Sequence, residues 1–243
     1  DHRDLHSFPT RRSSDLLHLP AKAIGLYASL DSFIVESERS ALRLLSRFKD
    51  AQSLRSLKLR VLNEHSGESE LPSLLEDLEQ GMDCGFLSEA GMPCIADPGA
   101  ALVAYAREKG VKIIPVSGPS SILLGLVASG LDAQRFAFLG YLPQNGEERR
   151  AYIARMATAV LKDGMTRVCI ETPYRNKALL KDLIALLPDS LWLCVASDLC
   201  GAEERVLSAP AAQWRRSGLP AIGKVPAIFL FGKRAGMRPP DSR

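Results

Sequence analysis

No run in the sequence approaches the about 18 uninterrupted apolar residues of a membrane-spanning helix, and the first residues lack the apolar core of a secretory signal. A soluble, cytoplasmic chain with no membrane partner is expected. Cysteine is scarce and odd in number. Cys84, Cys94, Cys169, Cys194 and Cys200 form no CxxC pair, so no disulfide framework and no metal site are expected, and the thiols should be buried and reduced. Charge of one sign is also missing, with 31 Lys and Arg against 28 Asp and Glu. Residues 1–15 cancel internally, and from Lys233 onward Lys233, Arg234, Arg238 and Arg243 face Asp241 alone, so the whole surplus of +3 lies at the end and the body from Leu16 to Gly232 is neutral. Composition therefore gives no general argument for nucleic acid. At 46% hydrophobic and 24% charged, 243 residues make one large globular domain or two small ones.

Residues 1–15 have neither helical nor strand periodicity and resemble a translated sequencing adapter, so they are set aside as a non-native head. After about Pro20 the pattern alternates. Strands are expected at Ser32–Glu36, Leu57–Leu62, Cys84–Ser88 and Val111–Val116, with helices between them that include Ser69–Gln80 and Pro98–Lys109. Gly118-Pro-Ser-Ser121 opens an apolar helix ending near Gly130, since proline suits the first turn and serine satisfies free amides. A short strand at Phe136–Leu139 runs into the turn-rich Gly140–Gly146. The boundary between an N-terminal domain, 16–142, and a C-terminal domain, 143–243, is placed there. A charged helix over Glu147–Lys162 follows, then strands at Thr166–Ile170, Leu191–Ala196, Glu204–Ser208 and Pro226–Phe231. Alternation of this kind predicts an α/β chain with two open sheets.

The loop Ser88-Glu-Ala-Gly-Met-Pro-Cys-Ile-Ala-Asp-Pro-Gly99 joins a strand to a helix. In open α/β sheets ligands collect beyond the carboxyl ends of strands, which makes this loop the first place to look for a site. Gly91 admits close backbone approach and Pro93 stiffens the turn. A structural loop would use the same residues, and the loop matches neither GxGxxG nor GxxxxGK[ST].

The run from Phe86 to Gly99 resembles the SDAGTPxISDPG signature of RsmI-type ribosomal RNA small subunit 2′-O-methylases, within the tetrapyrrole-methylase superfamily. Further elements fall in the family's order. Val116–Ser121 resembles PGPSA, Phe136–Pro143 resembles FxGFLP, Ile170–Arg175 resembles ESPHR, Val35–Arg39 resembles AEDTR, and Asn63-Glu-His65 resembles EHN. The similarity runs from about Pro20 to Phe231. It implies the two-domain tetrapyrrole-methylase fold, each domain an open mixed sheet flanked by helices with the cofactor cleft between them. It further implies S-adenosyl-L-methionine as cofactor, ribosomal RNA or the small ribosomal subunit as partner, and a homodimer. Ala90, Gly91, Met92, Ile95, Ser120, Ser121, Glu171, Thr172 and Ala227 are the implied cofactor contacts. Arg39, His65 and Arg175 are the implied substrate contacts.

Methyl transfer requires mainly that the donor methyl be held in line with a nucleophile. A ribose hydroxyl, with its high pKa, gains from a general base, and Glu36 and Glu89 are the catalytic candidates, with Asp97 and Glu171 the other motif acids. Each reads equally as a helix cap or a solvated carboxylate, Asp97 above all as a cap because Pro98 and a helix follow it. The sequence also departs from the family. The first strand with its PTPxGN loop is expected to be absent, and Ala196-Ser-Asp-Leu-Cys-Gly201 stands where the family has ARELTK, without the arginine and lysine suited to a phosphate backbone. A methyltransferase acting on a small tetrapyrrole-like acid, and a non-catalytic cofactor-binding protein, are the alternatives.

Overall fold

The computed structural model describes residues 4–8, 19–89 and 91–236, with Leu5 the one side chain described in the first segment. The chain divides into two compact units, 1–120 and 121–243.

In the first unit β1 (Asp4–Phe8), β2 (Ser32–Val35), β3 (Lys58–Val61), β4 (Cys84–Leu87) and β5 (Lys112–Pro115) form a sheet of order β3-β2-β4-β1-β5. Every pairing in it is parallel, where a mixed sheet was expected. Alternation of side chains along each strand builds one layer of core on each face. Ile34 and Phe86 pack with Leu71, Leu78 and Leu102, while Phe33, Val35 and Leu87 pack with Tyr27 and Leu45. Helices α1 (Ala21–Ser29), α2 (Glu38–Leu45), α3 (Ala51–Arg55), α4 (Leu71–Leu74), α5 (Glu76–Glu79) and α6 (Ala100–Glu108) connect the strands.

The head corrects the sequence reading. Asp4–Phe8 is not outside the fold but an inner strand, with Leu5 opposite Cys84 on one side and Ile113 on the other and its side chain fully buried. Five residues are too few to show a period, although a central parallel strand needs no more. Residues 9–15 lie outside the described residues. The helix expected over Ser69–Gln80 is also interrupted. Pro72 sits in the first turn of α4, and Leu75 breaks from α4 into α5 at φ −95°. Asp77 of α5 is buried, accepting from Ser32 Oγ at 2.7 Å and from Arg60 Nη2 at 3.1 Å.

In the second unit β6 (Phe136–Tyr141), β7 (Thr166–Glu171), β8 (Trp192–Ser197), β9 (Arg205–Pro210) and β10 (Ala227–Gly232) form a mixed sheet of order β6-β7-β10-β8-β9. Only the β6 and β7 pair is parallel. Helices α7 (Ser121–Ser129), α8 (Gly146–Asp163), α9 (Asn176–Leu186) and α10 (Ala211–Ser217) accompany it. Phe229 and Phe231 face Ile153, Leu179 and Trp214, and Ile228 and Leu230 face Leu126 and Leu131. The division at 120/121 differs from the boundary expected at 142/143. The reason is packing: β6 pairs with β7, and α7 lies on β8, β9 and β10. Gly125 makes that contact close, since a Cβ there would stand 3.1 Å from Ile228 Cδ1. Asn145 caps α8, its side chain accepting from Glu147 N and Glu148 N, and Gly164 ends the helix in the left-handed region.

Among the described residues no helix is long and apolar enough to cross a membrane. Cys84, Cys169 and Cys194 are buried, while Cys94 and Cys200 are only partly so.

Candidate active site

In the first unit the motif residues gather at the carboxyl ends of the parallel strands, where an open sheet leaves room for a ligand. Glu36 follows β2, Asn63 follows β3 and the 88–99 loop follows β4. That loop has a backbone few sequences adopt. Gly91 (φ 82°) and Gly99 (φ 126°) lie in the left-handed region, and so do Cys94 (φ 70°) and Ala96 (φ 61°), each costing about 1–2 kcal/mol for an L side chain. At Gly99 no other residue fits, because a Cβ would overlap the Phe86 ring. At Gly91 a Cβ would meet nothing within 4 Å, so the glycine is there for its φ and faces open space.

Three acids meet around this loop. Glu36 Oε2 accepts from Glu89 N at 2.7 Å, and Glu89 Oε1 accepts from Ser40 Oγ at 2.8 Å. Asp97 is different: its Oδ2 is buried with no hydrogen-bond partner. Burial first, then the charges of Glu36 and Glu89, push the Asp97 carboxyl up to about 7 against a hydrogen bond from Ser88. Gly99, not Asp97, stands at the N-cap of α6, and α6 has no side-chain cap, so the reading of Asp97 as a cap is corrected. Asp97 instead lines a groove of about 320 Å³ with Asn63, Glu64, Ser66 and Glu68. Among the described residues no group of three His, Cys, Asp or Glu side chains is placed to hold a metal ion.

The other expected contacts in this unit are spread around the loop. Met92 is half-buried and Ile95 is exposed, while Ala90 lies outside the described residues. Arg39 is exposed on α2. His65 is solvent-facing, 3.7 Å from the Glu64 carboxylate, with its backbone N–H donating to Asn63 Oδ1. Ser120 is the last residue of the unit and is half-buried; Ser121 begins α7 in the second unit and is exposed.

In the second unit Glu171 ends β7 with its side chain fully buried. One oxygen takes four contacts: Oε1 accepts from Thr172 N at 2.7 Å, Thr172 Oγ1 at 3.4 Å, Arg175 Nε at 2.9 Å and Arg175 Nη2 at 2.7 Å. The other, Oε2, has no partner. Arg175 is thus an internal partner of Glu171, which occupies part of the guanidinium expected to meet substrate. Ala227 lies abreast of Glu171 on β7 and of Ser197 on β8, which puts these three at one end of the sheet. Sequence reasoning missed Asn176, the buried first residue of α9, whose Nδ2 donates to Val225 O at 2.9 Å and ties that helix to the segment entering β10. Its only signal was an asparagine directly after the ESPHR-like element. The departing Ser197–Gly201 segment closes on itself, with Asp198 and Cys200 at positive φ, Asp198 Oδ2 accepting from Glu203 N at 2.9 Å, and Glu204 accepting from Cys200 N.

A parallel sheet with its strand-end loops, followed by a mixed sheet, defines the class of protein. The same fold is seen in the crystal structure of the methyltransferase CobJ, with a TM-score of 0.63 and 14% identity over 97% of this chain and 95% of that one. Residues 14–214 match the family of tetrapyrrole (corrin/porphyrin) methylases. The chain belongs to that family. It is 31% identical over 194 residues to the ribosomal RNA small subunit methyltransferase I of Vibrio cholerae, spanning 79% of this chain and 64% of that protein. To the same-named protein of Escherichia coli O157:H7 it is 28% identical over 199 residues, 82% of this chain and 66% of that protein. The chain thus spans just under two thirds of the length of these relatives.

Proposed function

We propose that the protein is an S-adenosylmethionine-dependent methyltransferase acting on small-subunit ribosomal RNA, at a ribose 2′-hydroxyl. The observation that carries this reading is the acid-lined loop at the carboxyl ends of the first sheet, in a chain whose relatives are named for this substrate. When bound, the cofactor supplies an electrophilic methyl group on a sulfonium that needs no further activation. The residues present suit such a molecule. It is cationic at sulfur and carries an ammonium donor, and the buried, donor-less Glu171 Oε2 is an acceptor that such a donor satisfies. Gly91, Met92, Ile95, Ser120 and Ser121, together with Glu171, Thr172 and Ala227, are the proposed cofactor contacts, Gly91 through its exposed backbone.

Among the acids the base is Asp97. Glu36 and Glu89 are engaged by neighbouring donors, and burial, aided by their charges, raises Asp97 toward neutrality, where a carboxylate takes a hydroxyl proton most effectively. Glu36 and Glu89 act by positioning the loop and tuning that pKa. Arg39 and His65 remain the proposed contacts to substrate phosphate. The test is transfer of label from methyl-labelled cofactor to immature small subunits, naked ribosomal RNA and a small-molecule pool. Label confined to the small molecules would replace this reading with the tetrapyrrole-like alternative.

A further inference from the structure

The surplus positive charge of the sequence begins at Lys233, and the fold gives that charge company. β10 ends at Gly232, and residues beyond it run antiparallel to 130–132 through the Leu131 and Arg234 bridge and the bond from Ala235 N to Gly130 O. This segment brings Lys233 and Arg234 beside Arg135, which precedes β6, and Lys162 at the end of α8. The four cations line one open groove of about 990 Å³. It lies at the end of the sheet away from Glu171 and Ala227, because Phe231 pairs with Arg167 where Ala227 pairs with Glu171.

A simpler account is that these cations only cap the carboxyl end of α8. Lys233 Nζ does donate to Leu161 O at 3.3 Å, and Arg135 Nη2 to Asp163 O at 2.8 Å. Each spends one donor in this way, out of three on an ammonium and five on a guanidinium. Lys162 and Arg234 are exposed, and the Arg234 guanidinium lies 5.5 Å over the Trp192 ring, a cation–π contact that holds it at the groove. The two acids of the groove do not outweigh the charge. Asp163 is paired with Arg167, which leaves Asp132 alone against four cations. An open groove with four cations, one of them held over an aromatic ring, against a single unpaired acid is complementary to a chain of phosphates.

We propose that this groove, lined by Arg135, Lys162, Lys233 and Arg234, binds the phosphate backbone of RNA at a distance from the methyl-transfer residues. The inference rests on the reading of the protein as an RNA methyltransferase. It accounts for how a chain with a neutral body grips a polyanion: the charge is local, in the second unit.

The experiment is fluorescence polarisation of a labelled single-stranded RNA oligonucleotide titrated with the full chain across a salt series. About 0.7 in the logarithmic salt slope accompanies each phosphate contact, so the four groove contacts contribute about 3 to the slope. Lys162→Gln with Arg234→Gln, which removes no helix cap, should lower the slope by about 1.4 and weaken binding, while Lys22→Gln in the first unit leaves it unchanged. A double variant with wild-type affinity and slope would overturn the groove, as would a wild-type chain that does not bind RNA. Thermal stabilisation by S-adenosylmethionine and methyl transfer, followed on the same samples, separate the two claims. RNA bound in the groove without methyl transfer removes the functional reading alone, whereas methyl transfer to RNA with an unchanged salt slope in the double variant removes the groove alone.

Discussion

Replacing Asp97 with Asn should stabilise the protein at alkaline pH while impairing catalysis. The Asp97 carboxyl is pushed from 3.8 to about 7 by burial and by Glu36 and Glu89, a rise of about 3 units. At 1.36 kcal/mol per unit, the folded state bears roughly 4 kcal/mol for ionising it, and partial exposure reduces this to about 2 kcal/mol. The sign follows from linkage. Below 3.8 both folded and unfolded chains hold the proton and there is no penalty. Between 3.8 and about 7 the unfolded chain has lost a proton that the folded chain keeps, so stability falls as pH rises, and above about 7 the penalty is complete. Asparagine cannot ionise. The variant should therefore melt roughly 4–8 °C above wild type near pH 8.5, with a difference that shrinks through neutrality and is almost gone near pH 4. Calorimetry across this range is the assay. Methyl transfer by the same variant should fall by about 10²–10⁴-fold, the ordinary contribution of a general base. A melting difference that does not change with pH, or a variant less stable than wild type near pH 8.5, would refute the assignment of an Asp97 whose ionisation the fold opposes.

S-adenosylmethionine at about a hundred times its dissociation constant should add roughly 2.7 kcal/mol, a rise of about 5–10 °C by thermal shift. Gly91→Trp should abolish that rise and leave the unliganded melting temperature within a few degrees, since space at Gly91 is open but its backbone is not; an undiminished shift would separate Gly91 from the cofactor. Leu5→Ala should cost about 2–5 kcal/mol, because Leu5 is fully buried between β4 and β5, and a variant as stable as wild type in urea would show that Asp4–Phe8 is dispensable. Asp77→Ala should destabilise by about 1–3 kcal/mol near neutral pH, since it leaves the buried Ser32 hydroxyl without its acceptor and Arg60 with Glu76 alone. Burial works against ionised Asp77, but bonds from Arg60 and Ser32 hold its pKa below 3.8. Its contribution is thus present above 3.8 and lost as the pH falls through its folded value, so the variant and wild type should converge in acid denaturation.

The strand ends carrying the chemistry were legible because each motif sits where an apolar run stops, as at Leu87 before Ser88 and at Ile170 before Glu171. Gly91 was legible as a point of close backbone approach, although only the structure shows that it faces open space and that Gly99 is required by the Phe86 ring. β1 was not readable, because Leu5 and Phe8, three residues apart, do not show the alternation of a strand, and the burial of Leu5 depends on β4 and β5, distant in sequence. The break at Leu75 was obscured by leucines that keep helical spacing through it. Asp97 was misread for a definite reason: an aspartate before proline is the ordinary sign of a cap, and the left-handed turns at Cys94 and Ala96 carry it past that position. The basic groove was hidden for the same reason as β1. Lys233 and Arg234 open the basic end of the sequence, but Arg135 and Lys162 come from two distant stretches unremarkable in charge, and only the second unit brings the four together.

The central claim is tested most directly by incubating the chain with methyl-labelled S-adenosylmethionine and immature small ribosomal subunits, then hydrolysing the RNA in alkali. A methyl group on a ribose 2′-oxygen blocks cleavage at that nucleotide, so the account predicts label in alkali-resistant dinucleotides, lost in Asp97→Asn and Gly91→Trp. Label in mononucleotides would place the methyl on a base, and no label in RNA, from a protein that the cofactor nonetheless stabilises, would contradict the proposed acceptor.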